Sequence, residues 1–313
     1  MRAFRDHEDV TVGVAARGLH LANTMTSPLV ALQLQRERPL MNRTVFLGLV
    51  SLTACGHADE ATHDATNDAV ACDRDRLLLT TYQQQRYIRV LANGADAFLM
   101  LDTGSNLTFL QEPLGTTPDP TPNAGTIVLG CSSTTLVGRP EAKLPDVNGT
   151  PTIGQFGTDR VLAQPTEIDL AGGALSFHMP GVKFDEAMAW PTASFEVVQG
   201  LILPQVTLGG SPVRLMLDTG APDTLWLGQQ PQPGDVEADV EDAAGNIVPT
   251  YRGTSTLAIG SWNGIVPVTR VPSWPYFEQT VRDLGGDVVG LLGLSSLGRG
   301  VVIDEEHVLR ANL

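Results

Sequence analysis

The sequence predicts an all-β chain built as two related lobes, and three observations carry that prediction. The six residues Leu99-Met100-Leu101-Asp102-Thr103-Gly104 recur unchanged as Leu215-Met216-Leu217-Asp218-Thr219-Gly220. Each copy is followed later in its half by a Gly-x-x-Gly, Gly154/Gly157 and Gly290/Gly293, then by an Ile-Asp and a last apolar run. The 313 residues include 32 Gly and 21 Pro but only 5% aromatics, a composition of short strands and frequent turns. The length suits two domains or one bilobal domain, and 42% apolar content allows a sizeable core.

From the N-terminus, residues 1–40 show no clear apolar period and read as an upstream segment called in error, with Met41 as the start. Asn42-Arg43 is a short positive n-region, and Val45 to Leu52 is an apolar stretch too short to span a bilayer as a mature helix. Leu52-Thr53-Ala54-Cys55 resembles the bacterial lipobox, so residues 41–54 are expected to be a lipoprotein signal peptide and Cys55 the lipidated residue. Residues 55–74 are Ala-, Thr- and Asp-rich and read as a disordered tether. The remaining cysteines, Cys72 and Cys131, form an even pair and in an exported protein are a disulfide candidate. The expected localisation is thus a bacterial membrane, on the periplasmic or cell-surface face.

The two halves of the globule then align. Val90 to Gly104 matches Val206 to Gly220, with Gly94 against Gly210, and Thr108 falls against Thr224. Each copy reads as strand, glycine turn, strand, then Asp-Thr-Gly. Phe98 to Leu101 is continuously apolar, as a strand buried on both faces is, so the carboxylate at its end lies at the edge of the core. This internal duplication places lobe one over 75–180, a linker over 181–194 and lobe two over 195–313.

Asp-Thr-Gly behind an apolar strand, followed by hydrophobic-hydrophobic-Gly, resembles the aspartic peptidases of the retropepsin and pepsin type. Leu291-Leu292-Gly293 fits the second-lobe pattern, whereas Gln155-Phe156-Gly157 carries Gln where the family has an apolar residue. The resemblance implies a bilobal acid-protease fold, two β-barrel-like lobes about a pseudo-two-fold axis, with Asp102 and Asp218 as the catalytic pair. Two adjacent carboxyls cannot both ionise cheaply, so one holds a proton while the other is an anion, which together can activate a water and protonate a peptide carbonyl. Thr103 and Thr219 are expected to hydrogen-bond across the axis. Gly104 and Gly220 are expected to let backbone N–H groups approach the carboxyls. Ser105 follows the first motif and Ala221 the second, and a donating Ser105 hydroxyl is expected to favour ionisation of Asp102 over Asp218.

The middle of lobe two is longer than that of lobe one, and Gly245-Asn246 is a natural hairpin turn there. The family's flap is therefore expected from lobe two, with its tip at Ala244, Gly245 and Asn246. A peptide or polypeptide substrate is implied, along with a monomer, since both lobes lie in one chain, and no metal or cofactor. The net charge of −15 argues against a nucleic-acid partner. There is no Gly-x-Ser-x-Gly turn, His178 and His307 sit in no evident triad, and no paired His or Cys spacing suggests zinc. The alternative reading is a catalytically silent, peptide-binding surface lipoprotein on the same fold.

Overall fold

The computed structural model describes residues 75–111, 124–130, 132–139, 144–241 and 247–313. In lobe one the strands are β1 (Arg76–Tyr82), β2 (Gln85–Ala92), β3 (Ala95–Leu101), β4 (Phe109–Gln111), β5 (Ala124–Leu129), β6 (Ser132–Arg139), β7 (Thr152–Phe156), β8 (Thr166–Asp169) and β9 (Ala174–Phe177), with a single helical turn, α1 (Thr158–Val161), after β7. Lobe two repeats them in order as β10 (Thr192–Val198), β11 (Leu201–Leu208), β12 (Ser211–Leu217), β13 (Thr224–Leu227), β17 (Tyr251–Ile259), β18 (Trp262–Val271), β19 (Val288–Leu292), β20 (Gly300–Ile303) and β21 (Val308–Asn312). It adds β14 (Val236–Glu237), β15 (Val240–Glu241), β16 (Ile247–Val248) and a helix, α2 (Pro275–Asp283). The chain is all-β and bilobal.

Local chemistry sets the matching hairpins. Asn93-Gly94 joins β2 to β3 and Gly209-Gly210 joins β11 to β12, with all four residues at positive φ, as a two-residue turn between antiparallel strands requires. The hairpins β5–β6 and β17–β18 occupy equivalent places and turn at Gly130 and Gly260.

The strand that delivers each aspartate lies parallel to the strand that carries the later glycines: β3 beside β7, and β12 beside β19. After the Asp-Thr-Gly loop the chain crosses over and returns antiparallel on the other side of that partner, as β4 and β13. The crossing is tight. A Cβ at Gly157 or Gly293 would run into the backbone carbonyl of Leu107 or Asp223, so only glycine fits there.

The lobes are joined by one antiparallel sheet in the order β10-β21-β20-β8-β9-β1. Its seam pairs β20 of lobe two with β8 of lobe one, Val301 opposite Ile168. A core of buried aliphatic residues runs through both lobes, from Leu99 and Leu101 to Leu215 and Leu217. The outer face of lobe two is sealed by α2, whose Phe277 and Val281, with Trp274 and Leu284 at its ends, pack on Met216, Leu225 and Leu291. Lobe one has no such helix among the described residues. There the same face is covered by Leu144 and Val147, packed on Tyr87, Phe98 and Met100. No helix among the described residues is long and apolar enough to cross a membrane.

Candidate active site

Leu99, Met100 and Leu101 are fully buried, as are Leu215, Met216 and Leu217, so the residue after each run is carried inside with it. Asp102 is 0% and Asp218 1% exposed. The two carboxyls lie together at the lobe interface, close enough for each to act on the other's proton. Each also accepts its own loop's glycine N–H on Oδ1, from Gly104 and from Gly220, both at 2.9 Å. Asp102 Oδ2 is buried and has no hydrogen-bond partner among the described residues. A Cβ at Gly220 would lie 2.8 Å from Asp102 Oδ1 and 3.1 Å from Asp218 Oδ1, so this glycine is what lets the two loops come together.

Thr103 and Thr219 brace the pair reciprocally. Thr103 N–H donates to Thr219 Oγ1 at 3.0 Å, and Thr219 N–H to Thr103 Oγ1 at 2.9 Å. Each hydroxyl then donates to the strand opposite, Thr103 to Leu217 O and Thr219 to Leu101 O, both at 3.0 Å. All four hydrogen bonds are buried, and each ties one lobe's loop to the other lobe.

Burial pushes the Asp102 carboxyl up to about 6, against the lowering effect of the neighbouring Asp218 carboxyl and of the backbone donors Gly104 and Ser105. Burial, followed by the Asp102 charge, pushes Asp218 well above the usual carboxylate range, although Gly220 and Ala221 donate to it. The pair therefore holds one proton near neutral pH, with Asp218 its preferred site.

The cause expected from the sequence for unequal ionisation, a Ser105 hydroxyl donating to Asp102, is absent. The Ser105 hydroxyl donates to Leu107 O at 2.8 Å and is not available to Asp102. The two carboxyls receive matched backbone donors, Gly104 with Ser105 and Gly220 with Ala221. Burial raises both carboxyls, and the Asp102 charge raises Asp218 further.

Several residues of the site carry no motif signal. Thr108 Oγ1 accepts the Gly157 N–H at 3.0 Å, and Thr224 Oγ1 accepts the Gly293 N–H at 3.3 Å, so each threonine fastens the crossing beneath its aspartate. Their alignment in the two halves was the available signal. Gln85, on β2, reaches the Asp218 loop from the other lobe and is itself held by the Tyr87 hydroxyl. Nothing in the repeat points to them, because the matching residues are Leu201 and Leu203.

The flap residues Ala244, Gly245 and Asn246 lie outside the described residues, as do Cys55, Cys72 and Cys131. The strands flanking the tip, β15 and β16, pair antiparallel, Val240 with Val248 and Glu241 with Ile247. Val248 packs in the cluster that contains Ala221.

No family model matches the chain, and no curated protein matches it. Among solved structures, the aspartic proteinase from Irpex lacteus is similar at a TM-score of 0.45 and 14% identity, over 75% of this chain and 96% of that one. Basic 7S globulin from soybean is similar at 0.42 and 10% identity, over 75% of this chain and 93% of that one. The chemistry of the site is therefore read from the dyad's own geometry.

Proposed function

We propose that the chain is an aspartic endopeptidase, and the observation that carries this reading is the buried Asp102–Asp218 pair held between two cross-braced loops. In the one-proton state, ionised Asp102 takes a proton from a bound water as the water oxygen attacks the peptide carbonyl carbon. Protonated Asp218 gives its proton to the carbonyl oxygen, and a tetrahedral diol forms with no charge left on it. Collapse returns a proton to the departing amine and regenerates the pair. The backbone donors on each Oδ1 and the threonine braces fix both carboxyls beforehand, so little reorganisation accompanies the proton transfers.

The long middle of lobe two supports reading the β15–β16 hairpin as the cover over bound peptide. The signal-like residues 41–54 support an exported protein anchored through lipid on Cys55, which mass spectrometry of the membrane fraction would test.

Hydrolysis of an unfolded protein tests the peptidase reading. The chain cleaves internal peptide bonds, a statine-type transition-state mimic blocks cleavage, and D102N and D218N each lower kcat by about a thousandfold or more. Full activity in both variants, or none in the wild type across pH 3–8, would reject it.

A further inference from the structure

We propose that Gln85 is a positioning residue of the peptidase centre, a tie from lobe one that fixes the Asp218 loop of lobe two. For its kinetic arm this rests on the peptidase reading. Gln85 Nε2 donates to the Gly220 carbonyl at 2.8 Å, and Gln85 is 7% exposed. Tyr87 Oη donates to Gln85 Oε1 at 2.9 Å, which decides the orientation of the amide: Oε1 accepts from the tyrosine, so Nε2 faces Gly220. The Tyr87 hydroxyl remains a donor at any working pH, because burial, and then Tyr82 nearby, pushes it up to about 12. Its ring is wedged edge-on against Phe98 and Tyr82, with centroids 6.3 Å away in each case.

Gly220 is thereby held from two sides. Its N–H donates to Asp218 Oδ1 at 2.9 Å, and its carbonyl accepts from Gln85. This is also the glycine that lies against the Asp102 carboxyl, so any drift of it would disturb both members of the pair. A donor anchored in advance costs no reorganisation as charge shifts between the carboxyls, whereas a loose one does.

The tie runs one way. The residues of lobe two that match Gln85 and Tyr87 are Leu201 and Leu203, which are buried and have no side-chain donor. The hairpins are otherwise alike in turn and register. The duplicated lobes thus differ at these two positions, where lobe one reaches the Asp218 loop.

The test uses Q85M, which keeps side-chain length and loses the donor, and Y87F, which keeps the ring and loses the hydroxyl. Measurements are kcat and KM on a peptide substrate, thermal unfolding, and amide hydrogen exchange in residues 218–221 against residues 102–105. Q85M is expected to lower kcat on the order of tenfold with KM within about twofold, as loss of one hydrogen bond realised at the transition state does. Exchange in 218–221 rises while that in 102–105 does not, and Y87F shows the same pattern at smaller size. Wild-type kcat with unchanged exchange in both variants overturns the proposal, and so does an equal rise in exchange in both loops, which would mean general loosening. If the wild-type chain hydrolyses no peptide, the peptidase reading fails, and the exchange difference between the loops alone upholds or overturns the tie.

Discussion

Ser105 Oγ donates to the carbonyl of Leu107, two residues along its own loop, and this hydrogen bond removes the hydroxyl from the chemistry of Asp102. The lobe-two loop has the same turn: Ala221 N–H returns to Asp218 O as Ser105 N–H returns to Asp102 O. A hydroxyl introduced by A221S is therefore expected to donate to the Asp223 carbonyl. Both limbs of the profile of kcat/KM against pH stay where they are in that variant. A downward move of the alkaline limb would show that the hydroxyl reaches Asp218 after all.

The pH dependence of the wild type follows from the pair. On the peptidase reading Asp102 must be ionised to accept a proton from water, and burial pushes its carboxyl up to about 6. The acid limb of kcat/KM is expected near pH 6, and the alkaline limb higher, where Asp218 gives up its proton. An acid limb below pH 4 would contradict the desolvation argument.

Stability carries the same signature. A carboxyl whose pKa is raised by folding contributes stability that is intact below its unfolded pKa and is lost as pH rises through the folded value. Asp218 is raised well above the usual range, so the loss falls on the alkaline side. D218N removes the group that titrates in this range. The melting temperature of D218N is expected to match wild type at pH 4 and to exceed it by a few degrees at pH 8, on the order of 2–8 °C. A gap that is constant with pH would rule out the linkage.

Gln155 is fully buried, and neither Oε1 nor Nε2 has a hydrogen-bond partner. Its parallel neighbour on β3 is Met100, and the matching residue of lobe two is Leu291. Burying an unsatisfied amide costs about 1–3 kcal/mol. Q155L is expected to raise unfolding free energy by about that amount, measured by urea denaturation, with kcat unchanged. A loss of stability would mean that the amide has a bound partner in solution.

Arg270 on β18 is 1% exposed and makes two hydrogen bonds from Nη1 to Asp235, at 2.8 and 3.0 Å, and one from Nη2 to Thr254 O at 2.7 Å. The pair pins the segment leading into β14 at the root of the lobe-two hairpin. D235A leaves a buried guanidinium uncompensated and is expected to cost about 3–5 kcal/mol. A loss below about 1 kcal/mol in denaturant titration would show that the arginine finds water.

The parts of this molecule that its sequence discloses are those that both lobes need. Asp-Thr-Gly and Gly-x-x-Gly recur because each lobe makes the same crossing, in which Gly157 and Gly293 meet a carbonyl. The β5–β6 and β17–β18 hairpins are legible for the same reason. What breaks the duplication is hidden. The helix α2 has no counterpart among the described residues of lobe one, and its apolar residues pack on a sheet face that a strand pattern does not reveal. Gln85 meets Gly220 across a sequence separation of 135, and no local pattern encodes that contact. Ser105 misled because a short hydroxyl side chain readily turns to its own backbone.

The shared sheet imposes an order in time. Strand β10 finds its outer neighbour only in β21, and β8 finds its neighbour across the seam only in β20, so both wait for residues 300–312. A chain not yet extended past residue 300 already contains Asp102 and Asp218 but has no seam to hold their lobes in register. Placing the closing strands last leaves the Asp102–Asp218 pair without the sheet that joins its lobes until β20 and β21 are in place.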